Sequence, residues 1–164
     1  MVETIEKVGG IMVVNIHKAE KGEALALQLC CDKAFEAYIS LIGKKPAPML
    51  YDYLKEITEH TVFVASNEQE IVGFVLIKDS KEDYMWLDVL AVDPDFNGKG
   101  IGRKLISHCE NYILQSGKNE CRLYTNVKFE RTCSIYLKLD YEIYDTACVD
   151  GYERYYMKKQ LTKS

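Results

Sequence analysis

The residues best placed to do chemistry lie in Val92-Asp-Pro-Asp-Phe-Asn-Gly98-Lys-Gly100-Ile-Gly102-Arg103, between a β-rich run and an amphipathic one. A glycine turn that leaves a strand and opens a helix gathers backbone N–H groups at the positive end of the helix dipole. Glycines also let a ligand approach the backbone with no Cβ in the way. An anion with two phosphates would suit such a cradle. The mononucleotide pattern, four residues between a glycine and Gly-Lys-Ser/Thr, is absent. The dinucleotide pattern Gly-x-Gly-x-x-Gly is absent too, because the spacing here is Gly-x-Gly-x-Gly. A purely structural turn remains the alternative.

The second chemical feature is Asp88, in the middle of Tyr84-Met-Trp-Leu-Asp-Val-Leu-Ala-Val92. A carboxylate within an apolar strand is costly to bury without a partner or a path for water. It is either a candidate base or a group that binds a neighbouring strand's side chain or a substrate ammonium. The six cysteines, at 30, 31, 109, 121, 133 and 148, contain no Cys-x-x-Cys pair. They read as reduced, mostly buried thiols, with no metal site and a cytoplasmic location expected. Cys133 has no paired histidine, so no covalent intermediate is expected on it. His17, His60 and His108 have no motif context, and His108 reads as helix surface.

Positioning these residues requires a mixed architecture. Residues 1–10, ending in Gly9-Gly10, read as a flexible tail, and Ile11–Ile16 as the first strand. Glu20–Ile42 carries one apolar stripe of helical period through Leu27, Cys31, Ala34, Phe35, Tyr38 and Ile42, and Gly43 is placed to end it. After Pro46-Ala-Pro48 a shorter helix is expected over Met49–Glu59. The period then falls to two for strands at Thr61–Ser66, Ile71–Lys78 and Tyr84–Val92, whose short polar links favour antiparallel neighbours. A helix over Gly100–Ser116, a strand over Cys121–Thr125 and a helix over Phe129–Leu139 follow. A hairpin around Asp150-Gly151 closes the chain. The order β α α β β β α β α β β predicts an α/β fold of the α+β type: a mixed, mostly antiparallel sheet with helices on its faces, in one domain spanning 11–160.

Composition agrees with an ordinary globule. The chain has 164 residues, 48% hydrophobic and 28% charged, enough for a core without disulfides or metal. A net charge of −4, from 21 basic and 25 acidic residues, gives no support for nucleic-acid binding. Apolar runs such as Ile71–Ile77 are too short to span a membrane, and the first seven residues carry two acids, unlike a secretory signal.

Leu87-Asp-Val-Leu-Ala-Val92-Asp-Pro-Asp-Phe-Asn-Gly-Lys-Gly-Ile-Gly-Arg103 resembles the acyl-CoA-binding motif of the GCN5-related N-acetyltransferase (GNAT) superfamily. The resemblance to the family continues in Tyr124-Thr-Asn126 and in Tyr136-Leu-Lys-Leu-Asp-Tyr141, which looks like the family's Tyr-x-Lys-Leu-Gly-Phe/Tyr ending. The resemblance implies a GNAT-like acyl-CoA N-acyltransferase fold. It implies an acetyltransferase that moves an acetyl group from acetyl-CoA, its cosubstrate, to a primary amine acceptor on a small molecule or protein. Attack would be direct, in a ternary complex. The backbone of Leu90, Ala91 and Val92 would pair with the pantetheine. Asn97, Gly98, Lys99, Gly100, Ile101, Gly102 and Arg103 would take the pyrophosphate. Asn126 would contact the pantetheine or cap the next helix. Tyr136 stands where the family places the proton donor to the CoA sulfur, and Asp88 where some members relay a proton through water. Tyr38, Met49 and Tyr53 would border the acceptor, although their spacing is first of all a packing signal. A homodimer is an expectation of the resemblance alone. Asn97 replaces the usual Gln or Arg, Thr132 a common Asn, and Asp140 a usual Gly in a turn that often needs φ > 0. Those departures keep a non-catalytic acyl-CoA-binding sensor or interaction module as the alternative.

Overall fold

The structure, a computed structural model, describes residues 7–8, 11–12, 14–68 and 70–162. Its elements are β1 (Lys7–Val8), β2 (Ile11–Met12), β3 (Asn15–Lys18), α1 (Ala24–Ile42), α2 (Tyr53–Glu59), β4 (Thr61–Asn67), β5 (Glu70–Lys78) and β6 (Tyr84–Val92). They continue with α3 (Ile101–Gln115), β7 (Glu120–Asn126), α4 (Glu130–Lys138), β8 (Glu142–Val149) and β9 (Tyr152–Gln160). The expected mixed α/β fold is what forms: a seven-stranded sheet of order β3-β4-β5-β6-β7-β9-β8. Its β3–β4, β4–β5, β7–β9 and β8–β9 pairs are antiparallel, and β6–β7 is parallel. Among the described residues no helix is long and apolar enough to cross a membrane.

Two compact units make up the described chain. The first holds the residues up to Ile77 together with Val89–Cys109, and the second holds Lys78–Asp88 with Glu110 onward. The core of the first is built from Leu27, Cys30 and Cys31 of α1, Tyr53 of α2, and Val62, Val64, Phe74, Leu76, Val89 and Ala91 of the strands. In the second, Met85, Leu87, Ile113, Cys121, Leu123, Cys133, Tyr136, Tyr141 and Met157 are buried. β6 passes through both units and alternates buried and half-buried side chains along its whole length, as a period of two requires.

Local chemistry sets the element ends. Gly43 ends α1 in the left-handed region, φ 78°, with its N–H on the Ile39 carbonyl. Asp150 and Gly151, φ 53° and 80°, make the two-residue hairpin turn. Three expectations needed correction. The strand expected at Ile11–Ile16 is divided. Ile11–Met12 pairs with Lys7–Val8, and Asn15–Lys18 pairs with β4, while Val13 lies outside the described residues. Apart from Lys7–Val8, the expected tail of residues 1–10 also lies outside them. The α-helix expected from Glu20 begins only at Ala24, after a 3-10 turn at Lys21–Glu23 in which the Glu23 carboxylate accepts from the Glu20 N–H at 2.8 Å. The helix expected from Met49 starts at Tyr53. Ala47–Leu50 is a 3-10 turn, and the Asp52 carboxylate accepts from the N–H groups of Leu54 and Lys55, which fixes the helix start there.

Candidate active site

The glycine turn forms as its composition dictates. Asp93 opens a 3-10 turn at Pro94–Phe96, its carboxylate accepting from the Asp95 N–H at 3.0 Å. Its other carboxylate oxygen lies 3.6 Å from the Lys33 ammonium, and its own N–H donates to Val72 on β5. Gly98 and Gly100 then take φ 75° and 82°, a region closed to most side chains. Gly102 needs no such φ and sits in the first turn of α3. The first helical bond runs from the Lys104 N–H to the Gly100 carbonyl. Among the described residues the six N–H groups of Gly98 to Arg103 have no acceptor. That is the orphan-donor condition of a helix start, lengthened by the glycine turn. Lys99 and Arg103 have no carboxylate partner among the described residues. Donors, cations and three glycines therefore lie on one short segment, and a diphosphate fits that donor set.

The β6–β7 ladder comprises Tyr84↔Glu120, Met85↔Cys121 and Trp86↔Arg122. Leu90 and Val92 are half-buried; Ala91 puts its methyl group into the core, so only its backbone can meet a ligand.

Asp88 lies in the second unit, its side chain only 7% exposed. One carboxylate oxygen is 3.3 Å from the Lys78 ammonium and the other accepts from the Tyr124 hydroxyl at 3.3 Å. The partner that a buried carboxylate requires is thus a pair of side chains from β5 and β7, which the sequence analysis did not name. Tyr136, on α4, is buried with its ring edge-on to Tyr141, centroids 5.4 Å apart. Asn126 accepts through its side-chain oxygen from the Lys128 N–H, bracing the turn before α4 rather than capping the helix.

In the first unit, Tyr53 is a core residue. Its hydroxyl donates to the Pro48 carbonyl at 2.7 Å, and its ring meets Phe74 edge-on. Met49 packs partly buried against the same core, and half-buried Tyr38 contacts Phe35. His108 is not plain helix surface. Its ring meets Phe63 at 4.4 Å, and burial lowers its pKa. Cys133 is buried, and burial raises its thiol pKa, which disfavours a nucleophile there.

At Asp140, φ is 73°, so the departure from glycine does hold a side chain in the left-handed region at the end of α4. Gly73 carries a signal that sequence reading missed. It stands in mid-strand, where a Cβ would collide with the Ala91 carbonyl and the first turns of α3.

Comparison with known proteins agrees with this architecture. Residues 58–143, just over half of the chain, match the family model of the acetyltransferase (GNAT) domain. An uncharacterised N-acetyltransferase of Methanocaldococcus jannaschii is 27% identical over 134 residues, 78% of this chain and 59% of that protein. The chain therefore spans less than two thirds of that relative's length. The peptidyl-lysine N-acetyltransferase YjaB of Escherichia coli is 27% identical over 143 residues, 85% of this chain and 89% of that protein. The PaiA N-acetyltransferase of Thermoplasma acidophilum, solved in complex with coenzyme A, superposes with a TM-score of 0.76 at 21% identity, over 91% of this chain and 99% of that one. With its glycine turn opening a helix and this family match, the chain belongs to the GNAT family of acetyltransferases.

Proposed function

We propose that this chain transfers an acetyl group from acetyl-CoA to a primary amine of a small molecule or protein, by direct attack in a ternary complex. One observation carries the reading: the six acceptor-less N–H groups from Gly98 to Arg103 at the mouth of α3. They hold the diphosphate, with Lys99 and Arg103 adding charge. The backbone of Leu90 to Val92 pairs with the pantetheine, and the Leu90 N–H steadies the thioester oxygen as charge develops on it.

Amine attack forms the C–N bond and expels the thiolate. Asp88 receives the ammonium proton through a bridging water, and the Tyr136 phenol donates a proton to the thiolate sulfur. A second reading, an acyl-CoA-binding module without turnover, draws support from the engagement of both Asp88 oxygens by Lys78 and Tyr124. Thiol release from acetyl-CoA over a panel of primary amines separates the two. Release by the wild-type protein that Tyr136→Phe strongly slows supports the enzyme. Binding of acetyl-CoA by calorimetry with no release on any amine supports the sensor.

A further inference from the structure

The half-buried face of the second unit's strands carries Tyr84, Trp86 and Asp88 from β6, Arg122 and Tyr124 from β7, and Tyr156 from β9. The aromatic rings form a continuous surface. Trp86 lies 6.4 Å from both Tyr124 and Tyr156, and these two are 5.9 Å apart. A register irregularity between Ile143 and Asp145 turns Tyr144 onto the same face, 6.2 Å from Tyr156.

The cations on this surface are not equivalent. Lys78 is paired with Asp88, and Arg122 with Glu120 at 2.6 Å. Arg154 has neither kind of partner. Its guanidinium carbon lies over the Tyr124 ring, 4.1 Å from the centroid, and among the described residues it makes no ion pair or hydrogen bond. The ring holds the guanidinium in place without using its N–H donors. The Tyr124 ring that carries Arg154 is the one whose hydroxyl donates to Asp88. Arg154 is also the register partner of Asn126, two residues beyond Tyr124 along β7. A carboxylate proposed to take a proton from an amine is therefore one tyrosine away from an unsatisfied, pre-oriented anion receptor.

Resting on the transferase reading above, we infer that the acceptor carries an oxyanion, a carboxylate or phosphate, close to its primary amine. Arg154 grips that oxyanion through its fork, and the acceptor's body lies against the Trp86 and Tyr156 rings. Arg154 is then a specificity residue that acts on substrate binding, since it takes no part in the proton transfers.

The test uses acceptor pairs that differ in the anion: phenylalanine against phenethylamine, and O-phosphoethanolamine against ethanolamine. The wild-type protein is expected to favour the anionic member of at least one pair by roughly ten-fold or more in kcat/KM, the scale of one charge-assisted hydrogen bond. Which pair shows it separates carboxylate from phosphate. Arg154→Met keeps bulk over Tyr124 and removes charge. It should bring that ratio near one through KM, with the neutral amine and coenzyme A titration unchanged. Equal use of both members by the wild type, or a preference that survives Arg154→Met, overturns the inference while leaving the transferase reading intact. If no amine is acetylated, calorimetric titration of phenylalanine and O-phosphoethanolamine into the protein decides instead. Binding lost in Arg154→Met upholds the anion site even where the transferase reading fails, and no binding of either compound sinks it.

Discussion

A Cβ on Gly73 would stand 2.9 Å from the Ala91 carbonyl oxygen, 3.1 Å from Leu105 Cδ1 and 3.3 Å from Ile101 Cγ2. The absence of a side chain at that point of β5 lets the start of α3 settle on the strand that leads into the glycine turn. The carbonyl is backbone and cannot give way as a side-chain tip could. Gly73→Ala should destabilise the fold by about 1–3 kcal/mol, the usual cost of overpacking. It should also weaken coenzyme A binding, because the donors of Gly98 to Arg103 lead into and open α3. Denaturant melts and calorimetry read the two effects. An unchanged melt and an unchanged affinity together would mean that the contact constrains nothing.

Asp140 should respond in the opposite sense. A non-glycine residue at φ 73° costs on the order of 1 kcal/mol. Asp140→Gly removes that cost, although glycine's freedom in the unfolded chain offsets part of it. A rise of a few degrees in the thermal midpoint is expected. A fall would show that the aspartate side chain contributes more than its backbone strain removes.

The two central proton-transfer roles make separable kinetic predictions. Tyr136→Phe and Asp88→Asn should each lower kcat by roughly 100-fold or more, the scale of positioned acid–base catalysis. Acetyl-CoA affinity should stay within about two-fold in both. If either variant loses coenzyme binding in parallel with turnover, that residue supports the site rather than transferring a proton.

Cysteine chemistry gives a pH signature. Burial pushes the Cys30 thiol up to about 12 and the Cys31 thiol up to about 11, from an ordinary 9.0. Above pH 9 the unfolded chain loses these protons while the folded chain keeps them. The stability they contribute is therefore complete below pH 9 and is lost as pH climbs toward 11 and 12. Thermal midpoints should fall across that window and fall less in a Cys30→Ala, Cys31→Ala double variant. In the native protein at pH 8, the exposed Cys148 should react with a thiol reagent well before the five buried cysteines.

What was legible in the sequence was mostly local. The period-two pattern of Tyr84–Val92, the Gly43 stop and the Asp150-Gly151 turn act through adjacent residues, and each forms where the sequence predicts it. The glycine turn was legible for the same reason, since its φ values and free N–H groups are properties of a dozen consecutive residues. What escaped depends on sheet order. Nothing near Asp88 in sequence names Lys78 and Tyr124 as its partners, and nothing near Gly73 names Ala91. Tyr53 and His108 show the related difficulty. Helical spacing brings a side chain to a face, but the contact with Phe74 or Phe63 on a distant strand decides its burial.

The central claim is that the peptide N–H groups of Gly98 to Arg103 grip a coenzyme's diphosphate. Titrating coenzyme A into 15N-labelled protein and following those six amide resonances tests it most directly. The account predicts large, saturable shifts at these amides with coenzyme A, and none there with pantetheine, which lacks the diphosphate. Saturable coenzyme binding that leaves all six amides unmoved, or no binding at all, would contradict it.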